Sequence, residues 1–291
     1  MEEAVLDQAH NLREVVRNTQ RSARVFAVTS GKGGVGKTST SVNLAIALAA
    51  AGKRVVVLDA DLGLANVEVL IGLNSFYNVQ HVIDGDKTIM DILVKGPGGI
   101  EVVPGTSGLA KLADLGPKAR QNVLDGLSEL QETADFIVVD TMAGIGQNAV
   151  AFAAAADEVL LVATPEPSAI VDAYATIKTI NAVREDAVFR LIVNMVVSAQ
   201  QALAVTTNLS RVTQQYLGLR LSYLGHVLRD PHVAQAVMQS NPFVLQFPNA
   251  PAAKCIHDLA NRLLRQRAEA ERPRPGFFRR FAQNLGLASN G

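Results

Sequence analysis

The 291-residue chain is 48% hydrophobic and balances 27 Lys+Arg against 27 Asp+Glu. That length buries a sizeable core, as one large α/β domain or two small ones, and zero formal charge gives no global reason to bind nucleic acid or an anionic membrane. The single cysteine, Cys255, excludes an intramolecular disulfide and a cluster bridged by two cysteines per subunit, and it fits a reducing cytosolic compartment.

In chain order, residues 1–22 read as a helix, because Val5, Leu6, Ala9, Leu12, Val15 and Val16 recur at helical spacing. No basic flank precedes an apolar run here, so no signal peptide is expected. Short β-rich runs follow at 25–30, 54–59, 100–103, 135–140, 158–164, 190–196 and 223–227, alternating with Ala- and Leu-rich helical stretches. Most are apolar at consecutive positions, the pattern of strands buried on both faces. The expectation is one doubly wound, mostly parallel α/β domain over residues 23–264, with helices on both faces. The apolar stretch Val42–Ala51 is interrupted by Asn43 and falls well short of the ~20 residues that span a bilayer. Residues 265–291 form a basic linker and tail. From 261 to 291 there are seven arginines against two glutamates, and Pro273 and Pro275 mark the linker.

The first strand leads into Gly31-Lys32-Gly33-Gly34-Val35-Gly36-Lys37-Thr38-Ser39 and then into a helix. Strand, glycine loop and helix are the context of a phosphate-binding loop. Backbone N–H groups close around phosphate oxygens, and the helix start adds partial positive charge. Lys37 would reach the β/γ-phosphates, and Thr38 would offer its hydroxyl to Mg²⁺. Asp59 and Asp61 end a buried strand, where α/β sheets place ligands, and a pair beside such a loop points to Mg²⁺ and the attacking water. Asp140 follows four apolar residues in FIVVDTMAG, the pattern of an aspartate that holds Mg²⁺, here through water. Lys32 is surplus to this scheme.

The segments KGGVGKT, DADLGLANV and DTMAG together resemble the deviant-Walker ATPases of the MinD/ParA type. The resemblance implies a P-loop NTPase of the SIMIBI class that binds ATP and Mg²⁺ and forms an ATP-sandwich homodimer. In that family the residue matching Lys32 crosses the dimer interface to the partner's phosphates, the one matching Asp61 positions the water, and the one matching Asp59 lies near Mg²⁺ and the P-loop lysine. Asn194 matches an asparagine that reads the adenine edge. Arg229, Asp230 and Pro231 match a loop bracketing the base, and Glu166 matches a glutamate near the dimer interface. Met142 departs from the family, where proline or a small residue is common.

The resemblance spans about residues 5–285 and is strongest to the flagellar-number regulators of the FlhG/FleN branch. The segment Asp7-Gln8-Ala9-His10-Asn11-Leu12-Arg13 resembles the DQAxxLR motif through which that branch stimulates FlhF, an SRP-type GTPase; Asp7, Gln8, Ala9, Leu12 and Arg13 are the implied partner-binding residues. In the tail PGFFRRFAQNLG, Phe277, Phe278, Phe281 and Leu285 fall within an arc of roughly 100°, with Arg279 and Arg280 outside it. Such a face suits a membrane interface, and two copies in a dimer add avidity. The expected protein is therefore a cytoplasmic ATPase held reversibly at the inner face of the cell membrane. Its expected partners are a second copy, FlhF, a flagellar transcription regulator, basal-body components and an anionic membrane surface. The alternatives are a ParA-type partition ATPase, a septum-site MinD-type ATPase and a metabolic P-loop enzyme. The body lacks the basic patches that nonspecific DNA binding requires, so no specific nucleic-acid binding is expected. The scattered histidines (10, 81, 226, 232 and 257) suggest no metal site.

Overall fold

The computed structural model describes residues 22–61, 66–105, 116–265 and 276–286. Eight strands form one sheet: β1 (Arg24–Thr29), β2 (Val55–Ala60), β3 (Val94–Lys95), β4 (Glu101–Val103), β5 (Phe136–Thr141), β6 (Glu158–Ala163), β7 (Phe189–Val196) and β8 (Ser222–Leu228). Their spatial order is β3-β4-β2-β5-β1-β6-β7-β8, and every pairing is parallel except β3 with β4. The expected mostly parallel sheet is therefore present. The two-residue antiparallel edge β3 carries too few residues to show a strand period, so nothing in its composition announces it.

The helices are α1 (Lys37–Ala50), α2 (Asn66–Ile71), α3 (Val79–Ile83), α4 (Ile89–Ile92), α5 (Pro117–Thr133), α6 (Gln147–Ala155), α7 (Pro167–Val183), α8 (Ala199–Leu217), α9 (Pro231–Met238), α10 (Phe243–Gln246), α11 (Pro251–Arg265) and α12 (Phe277–Asn284). The central strands β2, β5 and β6 are buried at all positions, because helices cover both faces. Val28, Val57, Val138 and Leu160 face α1 and α11 through Leu44, Leu48, Ile256 and Leu259. Ala27, Leu58, Val139 and Leu161 face the opposite layer, which includes Leu127, Phe152, Ile177 and Leu209. At the bottom of the sheet, Glu158 is buried but receives hydrogen bonds from both Arg24 and Arg190, so its charge is compensated.

The chain's far end returns to this second layer. Phe277, Phe278 and Phe281 are buried against α5 and α6, and Phe281 stacks on Phe152 with centroids 3.9 Å apart. Arg280 donates to the Ala155 carbonyl at 2.7 Å and to Asp157 at 2.8 Å, while Leu285 is half-buried. The aromatic face expected to meet a membrane is thus packed on the protein's own body in this state, and Arg280 ties it down rather than lying free beside it. Gln131 of α5 receives the Phe277 amide on its side-chain oxygen at 2.9 Å and donates its side-chain nitrogen to Ser22 at 2.8 Å. The Asp7–Arg13 segment lies outside the described residues. Among the described residues, no helix is long and apolar enough to cross a membrane.

Phe152→Ala is expected to lower the unfolding free energy by about 3–5 kcal/mol, the usual cost of deleting a buried phenyl ring. Phe281→Ala should cost less, because a terminal two-turn helix can undock instead of leaving a cavity. Denaturant titration checks both, and equal losses would contradict a separable α12.

Candidate nucleotide site

The site forms at the C-terminal ends of β1, β2 and β5. Gly34 and Gly36 take φ of 79° and 83°, a region that excludes most side chains, and the loop turns there into α1. No side chain caps α1, so its first amides are open to an anion. Gly31 is required for a different reason. A Cβ there would lie 2.2 Å from the backbone carbon and oxygen of Asp172, so α7 rests directly on the loop.

Lys37 is buried and its ammonium lies 3.3 Å from Asp140. The Thr38 hydroxyl donates to the other Asp140 oxygen at 2.6 Å, and Ser41 donates to the first at 2.8 Å. Asp140 has no exposed surface. Burial pushes its pKa up, against the pull of the Lys37 ammonium and the two hydroxyls.

Asp59 stands beside Asp140 in register on β2. It accepts from the amides of Asp61 at 3.2 Å and Val67 at 3.0 Å, so it ties α2 to the strand end. Burial outweighs those hydrogen bonds, and its pKa is pushed up to about 7. A carboxyl raised this way favours the folded, nucleotide-free protein at low pH, and that contribution is lost as pH rises through about 7. A cation bound beside it would favour the ionised form. Asp61 is oriented by Asn66, whose side-chain amide donates to it at 2.8 Å.

These donors fit Mg²⁺ with a phosphate chain. Mg²⁺ takes hard oxygens, one or two carboxylates, and keeps several waters; Thr38, Asp140 and Asp59 supply that set. Among the described residues, no cluster of three His, Cys, Asp or Glu side chains gathers as a metal site. Ser39 adds a further sign, since its hydroxyl is buried without a hydrogen-bond partner, and a bound phosphate oxygen would satisfy it.

The second lysine is elsewhere. Lys32 is exposed and donates to Glu166 at 2.9 Å and to Ser168 at 3.3 Å. The hydrogen bond and charge of Glu166 raise its pKa. Glu166 is the N-cap residue of α7, so the spare lysine is held at the start of the helix on which Gly31 rests.

The residues expected beside the base are placed differently from one another. Asn194 donates to the Val35 carbonyl at 2.8 Å and accepts from the Met195 amide at 2.9 Å, so in this state it braces the P-loop. Asp230 caps α9 through His232 N at 3.0 Å and reaches Ala252 N of α11 at 3.2 Å; Pro231 opens α9 behind it, and the Arg229 amide bonds Val196 O at 2.8 Å. After β5, Gly144 N donates to Ser30 O at 2.7 Å, and Met142 is half-buried. Sequence reasoning missed Ser41, Asn66 and Gln131. Ser41 alone carried a signal, a hydroxyl one helical turn beyond Lys37.

Comparison with known proteins agrees with this geometry. A family model described as "ParA: NUBPL iron-transfer P-loop NTPase" matches residues 21–264. The antiactivator FleN of Pseudomonas aeruginosa is 42% identical over 240 residues, covering 82% of this chain and 86% of that protein. The flagellum site-determining protein YlxH of Helicobacter pylori is 37% identical over 272 residues, covering 91% and 92%. The MinC:MinD cell division complex of Aquifex aeolicus superposes with a TM-score of 0.67 at 26% identity, covering 86% of this chain and 99% of that one. The chain therefore belongs to the MinD/ParA family of P-loop ATPases, in the branch that contains FleN and YlxH.

Proposed function

We propose that this protein is an ATP-dependent dimerising switch that regulates the number and placement of flagella. The observation that carries the reading is the separation of its two lysines. Lys37 is buried on Asp140, whereas Lys32 is exposed and turned onto Glu166. An exposed lysine beside a phosphate loop, held only by a solvent-screened surface ion pair, is available to a second subunit. The flagellar setting rests on the similarity to YlxH, a flagellum site-determining protein, with the antiactivator FleN in the same branch.

In the proposed cycle, Lys37 and the open amides of the loop hold the phosphates of ATP, and Asn194 and the Arg229–Pro231 loop border the base. Mg²⁺, held by Thr38 and, through water, by Asp140 with Asp59 alongside, would offset phosphate charge. Asp61, held by Asn66, orients the attacking water. Lys32 leaves Glu166 for the partner's phosphates, where negative charge developing on the transferred phosphoryl group rewards a cation supplied in trans. Hydrolysis and dimerisation are thereby tied together. Dimerisation also frees α12 from α5 and α6, and two copies hold the dimer at an anionic membrane. The Asp7–Arg13 segment stimulates an SRP-type GTPase of the FlhF kind, and a flagellar transcription regulator and basal-body components are further partners.

Lys32→Ala and Lys37→Ala should each lose ATP hydrolysis, Lys32→Ala by on the order of a thousandfold, the low end for a cation supplied in trans. Turnover and oligomeric state measured with ATP check this, and normal turnover in Lys32→Ala would sink the trans role. Anionic liposomes should pellet the parent protein with ATP but not without it. Serine at Phe277, Phe278 and Phe281 should abolish that recruitment, and pelleting that ignores either nucleotide or these rings rules out the membrane switch. Deleting Asp7, Gln8 and Ala9 should remove stimulation of the partner GTPase while leaving basal ATP hydrolysis intact; retained stimulation refutes the role of that segment.

A further inference from the structure

Gln131 lies in the last turn of α5 and is almost fully buried. Both ends of its side-chain amide are engaged. The oxygen accepts from the Phe277 amide at 2.9 Å, and the nitrogen donates to the Ser22 hydroxyl at 2.8 Å. Its backbone carbonyl accepts from the Ala23 amide at 2.6 Å. One residue therefore receives the chain where it enters β1 and again where it returns as α12. The α12 end is shaped for this contact. Its N-cap residue, Gly276, has no side chain to offer the first amides, and a Cβ there would lie 3.1 Å from the Gln131 side-chain oxygen. The glutamine takes the place of the missing cap.

We propose that Gln131 couples the two ends of the chain, so that the seating of Ser22 and the docking of α12 favour each other. The chemistry of the amide sets the direction. The Phe277 N–H only donates, so a docked α12 turns the Gln131 oxygen towards itself and leaves the NH₂ group facing Ser22. A glutamine side chain is costly in entropy to order. The end that seats first carries that cost, and the second finds the amide already placed. Conversely, withdrawing Ser22 takes away the acceptor of the NH₂ group and frees the side chain to turn. The buried Phe277 amide then loses its acceptor as well, which is the costly kind of loss. Ser22 itself is exposed, so anything that draws the preceding segment off the body reaches this link directly. The use made of the link rests on the reading of the two tails above. A partner holding the N-terminal segment would raise the fraction of molecules with a free membrane helix, and release of that helix would loosen the N-terminal segment by the same factor.

The test is hydrogen exchange of the full, nucleotide-free chain, read at the α12 amides and at Ala23, because exchange reports local opening. Ser22→Ala should speed exchange across α12 by roughly fivefold, a typical net loss for a neutral hydrogen bond. Ser22→Thr keeps the hydroxyl and should match the parent. A purely local role for Ser22 would leave α12 unmoved. Gln131→Met, close in shape but without the amide, should speed α12 exchange by itself, and adding Ser22→Ala to it should change nothing further. Should Gln131→Met not fold, the reciprocal measurement replaces it: Phe281→Ser, which undocks α12, should speed exchange at Ala23 by about the same fivefold.

Unchanged α12 exchange in Ser22→Ala overturns the proposal, and so does a Ser22→Thr effect as large as that of Ser22→Ala. An equal effect of Ser22→Ala in the parent and in Gln131→Met, or an Ala23 amide that ignores Phe281→Ser, also overturns it. Pelleting with anionic liposomes in the absence of ATP separates the coupling from the membrane reading. Faster α12 exchange in Ser22→Ala with no gain in pelleting overturns the membrane role of the tail and leaves the coupling standing.

Discussion

A carboxylate sealed from water needs its charge answered from within the protein, and Asp140 is that carboxylate here. β5 carries it to the end of the sheet. The loop before α1 exists to bring Lys37 and Thr38 to it, and the turn of α1 after them brings Ser41. The same donors suit a phosphate chain with its cation. The nucleotide-free site is thus a closed set of ionic and hydroxyl contacts that a ligand reopens by substitution, not an empty cleft. Little reorganisation is then required beyond exchanging partners, which is how a preorganised polar site keeps its electrostatic advantage.

The second constraint is steric. Gly31 has no side chain because the backbone of α7 occupies the space a Cβ would take. The loop and the start of α7 therefore move together or not at all. Lys32 and Glu166, one on each, close a surface ion pair over that contact. Weak individually, the pair and the packing still hold the loop's exposed lysine in one place. A partner subunit in the proposed cycle has to replace only the ion pair, since the glycine contact can persist.

Much of this was legible in the sequence. Consecutive apolar residues gave away a sheet covered on both faces, and glycine spacing gave away the loop, because both patterns follow from local rules. Lys37, Thr38 and Asp140 come together as the motif implies. What the sequence withheld depends on partners remote in the chain. β3 is too short to show a period and exists because β4 offers an edge. Asn194 reads as a base contact, yet its amide braces Val35, 159 residues away. Asp230 reads as a loop residue and acts as a double cap. The tail shows the limit most clearly. Its amphipathic arc was plain, but an arc says only that one face leaves water, not what it enters.

That ambiguity is physical, and it shapes how a membrane switch could work. Burial of an aromatic face is driven by removal of apolar area from water, whether the new surroundings are lipid or Phe152. In the proposed switch the same three rings would serve both, so docking and insertion would exclude each other, with a similar gross hydrophobic gain in each. The balance then rests on smaller terms. Arg280 on Asp157 and Ala155, and Gln131 on the Phe277 amide, favour the docked helix; two helices acting at once on one surface favour the membrane. Gln131 also bonds Ser22, so the base of the N-terminal segment and the first turn of α12 share one side chain. A monomer has only the docking terms to draw on. In the proposed switch a dimer would add the avidity term, and the position of the helix would then report the oligomeric state.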